Sequence, residues 1–71
     1  MLENDYTRSE LVELIDENIV GRNAQRNRLV LYRRLIDGIT YERLAEEFDM
    51  SDRQIKRIVY KAENALFKKL R

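Results

Sequence analysis

The sequence predicts an all-α domain of four helices, and three observations support this fold class. Apolar residues recur at spacings of three and four in four separate segments, as they do along one face of a helix. Two of these segments open with Ser or Thr followed three residues later by Glu or Gln, which is a helix-start signal. The 71 residues include no proline and only two glycines, so few positions interrupt a helix.

The first helix is predicted to start after Thr7, which with Glu10 matches a capping box. Residues 1–6 precede this start and are expected to form a flexible tail. The apolar face of the helix consists of Leu11, Leu14, Ile15 and Ile19. The opposite face is acidic and consists of Glu10, Glu13, Asp16 and Glu17. Such a face is typical of a solvated surface, and it also fits a protein-contact surface or a mimic of phosphate charge.

A break at residues 21–23 separates the first helix from a second, for which Asn23 is the expected cap and Gly38 the expected terminator. The second helix is predicted to run to about Asp37. Its apolar stripe is predicted to contain Leu29, Leu31, Tyr32, Leu35 and Ile36. The basic residues of this segment are Arg22, Arg26, Arg28, Arg33 and Arg34. Two interpretations remain open for these arginines: contact with phosphate, or ion pairs with the acidic first helix.

Two further helices are predicted on either side of a tight turn. Thr40 can cap a third helix that ends at Phe48. Ser51 and Gln54 form a second capping box, so the fourth helix should begin at Asp52. The turn requires a residue with positive φ, which Asp49 tolerates better than most side chains do. Two helices joined this closely also need a small side chain where they cross, and Ala45 is the expected one.

The fourth helix separates apolar from basic residues. Its core stripe is predicted to comprise Ile55, Ile58, Val59, Ala62, Leu66 and Leu70. The opposite face combines cations, amides and an aromatic ring, without an acid: Arg53, Gln54, Lys56, Arg57, Tyr60, Lys61 and Asn64. Such side chains contact base edges and phosphates in a DNA major groove. Phe67 lies off the core stripe, so it is either an exposed anchor for a partner or packed on the first helix.

Charge alternates in blocks along the chain, although the net charge is only +1. Two blocks are acidic: residues 1–20 and residues 37–52 each carry six acids and one base. Two blocks are basic: residues 21–36 carry five bases and no acid, and residues 53–71 carry seven bases and one acid. Two interpretations remain open: the fold has one basic and one acidic side, or the acidic and basic helices neutralise each other.

Composition excludes several function classes. The chain has no cysteine or histidine, which excludes disulfides, thiolate or imidazole catalysis and the common zinc sites. No apolar run is long enough for a membrane span or a signal peptide, so a cytoplasmic protein is expected. We expect no catalytic activity, no cofactor, no metal and no small-molecule ligand.

Residues 40–60, TYERLAEEFDMSDRQIKRIVY, resemble a helix-turn-helix DNA-binding motif. The residues that fall where this family places its buried side chains are Leu44, Ala45, Phe48, Met50, Ile55 and Ile58. With DGITYERLA at the start of the motif and KAENALFKKLR after it, the segment from about Arg26 to Leu70 is similar to the fourth conserved region of bacterial sigma factors, and to small bacteriophage transcription regulators built on that region. Asp49 replaces the usual turn glycine, and Arg43 stands where sigma-type sequences often have a second glutamate. No core-binding region is present, so a stand-alone sigma factor is not expected.

The resemblance implies a recognition helix that presents its N-terminal turns to the bases. The candidates for base contact are Ser51, Asp52, Arg53, Gln54, Lys56 and Arg57. Arg53 or Arg57 suits guanine and Gln54 suits adenine, whereas Asp52 also has a structural explanation at the positive end of the helix dipole. The candidates for phosphate contact are Tyr60, Lys61, Arg43, Arg26 and Arg28.

The sequence therefore predicts a sequence-specific, double-stranded-DNA-binding regulator of transcription, a four-helix helix-turn-helix domain with a long C-terminal recognition helix. A domain of this size is expected to need help in finding its site, either as a homodimer or with RNA polymerase as partner. Two alternatives remain: the DNA-recognition subunit of a phage packaging machine (a small terminase), and a protein-interaction adaptor to RNA polymerase.

Overall fold

The computed structural model describes residues 7–70, with side chains described as far as Leu66. Its elements are α1 (Arg8–Asn18), α2 (Ala24–Leu31), a π-helical turn (Tyr32–Ile36), α3 (Tyr41–Phe48) and α4 (Asp52–Leu70). Within this range the chain forms four α-helices and no strand, which confirms the predicted all-α helix-turn-helix fold. The predictions for the tail 1–6 and for the side chains of Phe67 and Leu70 lie outside the described residues.

The predicted helix starts of α1 and α3 are confirmed by their hydrogen bonds. The Glu10 backbone N–H donates to the Thr7 hydroxyl at 3.2 Å, and the Thr7 N–H donates to the Glu10 carboxylate at 3.1 Å. At α3 the Arg43 N–H donates to the Thr40 hydroxyl at 3.3 Å. These bonds satisfy backbone donors that a helix start leaves without intrahelical partners. The bond from the Thr7 backbone also lowers the pKa of Glu10, because it stabilises the carboxylate.

The start of α2 differs from the prediction. Asn23 does occupy the position before the helix, but its side chain makes no capping hydrogen bond. Its backbone is left-handed, with φ 64° and ψ 15°, after Gly21 at φ 90°. A capping side chain needs an extended backbone to reach the N–H groups ahead of it. Asn23 therefore serves as a residue that tolerates positive φ in the turn, and the capping prediction was wrong.

The second helix widens after Leu31. The Asp37 N–H donates to the Tyr32 carbonyl five residues earlier, at 3.2 Å, which is the π-helical pattern. Because a π turn holds more residues than an α turn, it changes the angle between the side chains before and after it. A single stripe drawn through both parts was therefore wrong at two positions: Leu29 is 47% exposed, and Val30 is fully buried. Gly38, at φ 69°, follows the π turn, as predicted for the terminator.

The core lies where α4 packs against α1, α2 and α3. Its buried residues are Ile15, Val30, Leu31, Leu44, Ala45, Ile55, Val59, Ala62 and Leu66. Four of them come from one face of α4, as its periodicity predicted. Burying a large aliphatic side chain stabilises a fold by about 1.5–3 kcal/mol, so this face is the main apolar contribution of α4. The core thereby fixes which side of α4 faces outward.

Polar contacts tie α1 to α2. The Arg28 guanidinium donates to two backbone carbonyls at the end of α1, those of Ile19 at 2.8 Å and Asp16 at 3.0 Å. The Tyr32 hydroxyl donates to the Asp16 carboxylate. Burial, with a further contribution from this bond, raises the pKa of Tyr32. The carbonyls that α1 leaves unpaired at its C-terminal end thus gain a cationic donor.

The π turn supplies two arginines that hold α3. Arg33 forms an ion pair with Glu47 of α3 and a second with Asp37, at 3.2 Å. Arg34 donates to the Ile39 carbonyl at 3.0 Å, and its guanidinium carbon lies 4.2 Å from the centre of the Tyr41 ring. The hydrogen bond from Arg33 lowers the pKa of Glu47. These contacts fix the orientation of α3, and with it the helix-turn-helix, on the rest of the domain.

Candidate nucleic-acid interface

The turn between α3 and α4 has the geometry that the sequence predicted. Asp49 ends α3 in the left-handed region, with φ 53° and ψ 50°. The Met50 N–H reaches back to the Ala45 carbonyl at 2.9 Å, and the Met50 side chain packs partly buried against the core. Ala45 is buried beneath this turn with 8% of its surface exposed. A small side chain here lets α3 and α4 approach closely, so the turn sets the direction in which α4 leaves.

The predicted capping box of α4 is present and occupies the Gln54 side chain. The Gln54 N–H donates to the Ser51 hydroxyl at 3.1 Å. In return, the Gln54 Oε1 accepts the Ser51 N–H at 2.9 Å and the Ser51 hydroxyl at 3.2 Å. Adenine recognition by glutamine uses its carbonyl and its amino group together. Recognition of adenine by Gln54 would therefore compete with the cap.

The outward face of α4 is exposed as the periodicity predicted. Its side chains are Arg53, Gln54, Lys56, Arg57, Tyr60, Lys61 and Asn64, and Asp52 is also exposed, in the first turn. Within the described part of the chain, the cations Arg53, Arg57 and Lys61 form no hydrogen bond or ion pair. They are therefore free to meet an external anion without first breaking an internal contact.

One side of this face meets the start of α3 through aromatic rings. The Tyr41 and Tyr60 rings meet edge to face, with centroids 6.2 Å apart and planes at 79°. The Lys56 ammonium lies 5.7 Å from the Tyr41 centroid, and Arg34 lies over the same ring. Burial raises the pKa of Tyr41, although the charge of Arg34 opposes that effect. Tyr60, 53% exposed, is thus oriented by Tyr41 while its surface stays accessible.

The arginines of the second helix do not act as one group. Arg28, Arg33 and Arg34 bond to backbone carbonyls, acids or a ring within the domain, so contact with phosphate would cost those bonds. None of the three pairs with a carboxylate of α1 in the described structure, and the interpretation as ion pairs with the first helix was therefore wrong for them. Arg26 donates to the Asn27 side-chain carbonyl at 3.2 and 3.3 Å. Arg22 is exposed, and Arg43 lies on the outer face of α3.

Sequence reasoning did not identify the cluster of Arg34, Tyr41, Lys56 and Tyr60. Its members come from three elements, so no spacing along the chain connects them. The usable signal for Tyr41 was its position directly after the cap Thr40, at the start of a helix that adjoins α4.

No protein-family model, curated protein or solved structure matches this chain. Between residues 7 and 70, no helix combines the length and the apolar character needed to cross a membrane.

Proposed function

We propose that this protein is a sequence-specific DNA-binding regulator of transcription that reads the major groove with α4. The observation that carries the proposal is the outward face of α4, which presents unpaired cations on the second helix of a tight helix-turn-helix. Cations that lack internal partners and share one helix face are suited to phosphates and guanine edges. The resemblance to the fourth conserved region of bacterial sigma factors points to the same function.

Arg53 and Arg57 are the proposed base-reading residues. They lie one turn apart, which is about 6 Å along the helix axis, or nearly two base-pair steps of about 3.4 Å. A guanidinium can donate two parallel hydrogen bonds to O6 and N7 of guanine, and one such pair discriminates against a wrong base by about 1–3 kcal/mol. Gln54 is assigned to the cap rather than to adenine, because its carbonyl is already bonded to Ser51.

The test is a fluorescence-anisotropy titration of a random duplex and of duplexes selected on the protein, at several salt concentrations. We expect tight binding to the selected duplexes, and weak, strongly salt-dependent binding to the random one. Arg53→Ala or Arg57→Ala should cost about 1–3 kcal/mol on the selected duplex and relax preference at one position. Equal losses on selected and random duplexes for both variants would refute base reading by α4.

A protein-interaction adaptor is the second candidate, and the exposed acidic face of α1 favours it. Its residues Glu10, Glu13, Asp16 and Glu17 are all exposed. In that case the basic face of α4 only keeps the protein in solution. Absence of binding to any duplex at low salt would favour this function, and RNA polymerase would be the first partner to test.

Oligomeric assembly separates two further proposals. A homodimer would place two α4 helices on half-sites about 34–36 Å apart, whereas a ring would favour the small-terminase alternative. Size-exclusion chromatography with light scattering, with and without the selected duplex, distinguishes monomer, dimer and ring.

A further inference from the structure

A cleft of about 340 Å³ lies beside the proposed DNA-reading face, between α4 and the end of α1 with the loop that follows it. We call it the α1–α4 cleft, and its polar lining consists of Asn18, Arg22, Asn27, Arg57 and Lys61. Apolar side chains complete the lining, among them Val20, which is 69% exposed. None of the described residues that line it is acidic, although the neighbouring face of α1 is acidic.

Most polar groups of this cleft are donors suited to an anion, and the exception is Asn18, whose NH₂ group donates to the Leu14 carbonyl at 2.8 Å. Arg22, Arg57 and Lys61 form no ion pair or hydrogen bond within the described residues. Asn27 adds a neutral donor. Its carbonyl accepts two hydrogen bonds from Arg26, and because arginine only donates, this contact fixes which amide atom is oxygen and leaves the NH₂ group unbonded. Arg26 is thus a positioning residue for Asn27.

The opposite side of α4 has a different balance of charge. There the α3–α4 cleft is lined by Thr40, Tyr41, Glu42, Asp52 and Lys56. It holds two acids and one base, and that base lies over the Tyr41 ring. Among the described residues, a phosphate entering the α3–α4 cleft meets two acids and one base, with Arg34 over the Tyr41 ring, whereas one entering the α1–α4 cleft meets three cations and no acid. The two sides of α4 are therefore not equivalent for an anion.

We infer that the α1–α4 cleft binds the phosphodiester backbone of one DNA strand, with Arg22 and Lys61 as its charged contacts and Asn27 as a neutral donor. The inference rests on the proposed function. A helix about 10–12 Å in diameter fills a major groove about 12 Å wide, so the strands that border the groove come against the two sides of the helix. The strand on the α1 side is the one held by charge, and the loop between α1 and α2 belongs to the DNA-binding surface.

The test compares Arg22→Ala with Arg8→Ala in the salt dependence of binding to the selected duplex. Both changes remove one positive charge. Arg8 is a charge-matched control: its side chain is 74% exposed, pairs with Asp37 at 3.6 Å and lies at the other end of α1, about 15 Å along the helix axis from Asn18. Loss of one phosphate contact makes the slope of log K against log salt less steep by about 0.9. Between 50 and 200 mM salt the variant should therefore lose about 3.5-fold less affinity than the wild type does. We expect this change for Arg22→Ala and little change for Arg8→Ala.

Neutral methylphosphonate linkages, introduced one at a time into the selected duplex, locate the contact. At one position on the strand facing α1 the linkage should weaken wild-type binding, yet have no further effect on Arg22→Ala. Arg43→Ala, a charge-matched change on α3, should keep its sensitivity to that linkage.

The outcomes separate this inference from the function on which it rests. If the wild type binds selectively but Arg22→Ala keeps the full salt slope, the cleft assignment is wrong, whereas the proposed function as a DNA-binding regulator is retained. A larger loss of slope in Arg8→Ala than in Arg22→Ala would also overturn it. If the wild type binds no duplex at low salt, the cleft assignment and the proposed function are both wrong. Circular dichroism and thermal unfolding of each variant show whether the fold is retained, and Lys61→Ala gives a second, independent removal of charge from the cleft.

Discussion

Gln54 caps α4 and lies beside the proposed DNA-reading residues, so its role in the cap has to be separated from a role in adenine recognition. Three substitutions separate the roles. Gln54→Ala removes both hydrogen bonds to the Gln54 Oε1, and Ser51→Ala removes the hydroxyl that accepts the Gln54 N–H. Gln54→Glu keeps an acceptor oxygen at the same position, as Glu10 already does in the capping box of α1.

The expected sizes follow from these bonds. Each bond is exposed to water, so its net contribution lies at the low end of about 0.5–1.5 kcal/mol. The higher helix propensity of alanine offsets a few tenths of a kcal/mol of the stability lost with these bonds. Gln54→Ala should therefore lower the free energy of unfolding by about 0.5 kcal/mol. Loss of an N-cap hydroxyl typically costs about 1 kcal/mol, so Ser51→Ala should be worse. Gln54→Glu should be neutral or stabilising, because a carboxylate near a helix N-terminus contributes about 0.3–1 kcal/mol.

Thermal unfolding followed by circular dichroism measures these differences. For a domain of this size 1 kcal/mol corresponds to about 4–8 °C in Tm, so we expect a decrease of about 2–4 °C for Gln54→Ala and about 4–8 °C for Ser51→Ala. In anisotropy titrations Gln54→Ala should keep the base preference of the wild type, and Gln54→Glu should weaken all duplexes alike because it adds negative charge. An unchanged Tm for Gln54→Ala, together with lost preference for adenine at one position, would refute the assignment of Gln54 to the cap.

Three further predictions concern stability. Ile55→Ala should lower the free energy of unfolding by about 2–5 kcal/mol in urea titrations, because Ile55 is fully buried; a change below about 1 kcal/mol would contradict its place in the core. Asp49→Gly should be neutral or stabilising and Asp49→Val destabilising by about 1 kcal/mol or more, since φ is 53° here; the reverse order of Tm would exclude this turn conformation. The hydrogen bond from Arg33 lowers the pKa of Glu47 in the folded protein below its ordinary value of 4.5. The bond therefore stabilises the fold above pH 4.5, and this stabilisation is lost as the pH falls through the pKa of Glu47 in the folded state. Glu47→Gln should therefore reduce the loss of stability between neutral and acidic pH, while Glu13→Gln, which changes an exposed acid of α1, should leave that loss unchanged.

Local signals predicted the parts of the structure that depend on hydrogen bonds within a few residues. The capping residues Thr7, Thr40 and Ser51 were found because their bonds reach only three residues along the chain. Asp49 was found because few side chains tolerate the left-handed backbone that the turn requires. The outward face of α4 followed from periodicity, which is reliable in a long regular helix with one buried side.

Local signals in the sequence were not sufficient to predict the buried face and the start of the second helix. The π turn after Leu31 has no marker in the sequence, and it changes the angle between the apolar residues on either side of it. Leu29 therefore faces solvent and Val30 faces the core, against the single stripe that a uniform period predicts. At Asn23 the residue type fitted both a cap and a left-handed turn, and the backbone needed to join α1 to α2 selected the turn.

By itself the sequence determined four helices, the capped starts of three of them, the tight turn and a cationic face opposite a buried stripe, because each depends on neighbours within one or two helical turns. The tertiary structure alone decided which cations remain free. Arg28, Arg33 and Arg34 bond to groups of the domain that lie four to fourteen residues away along the chain, whereas Arg22 lies with Arg57 and Lys61 around one cleft. These contacts join residues that only the packing of helices brings together, so no spacing in the sequence could have revealed them.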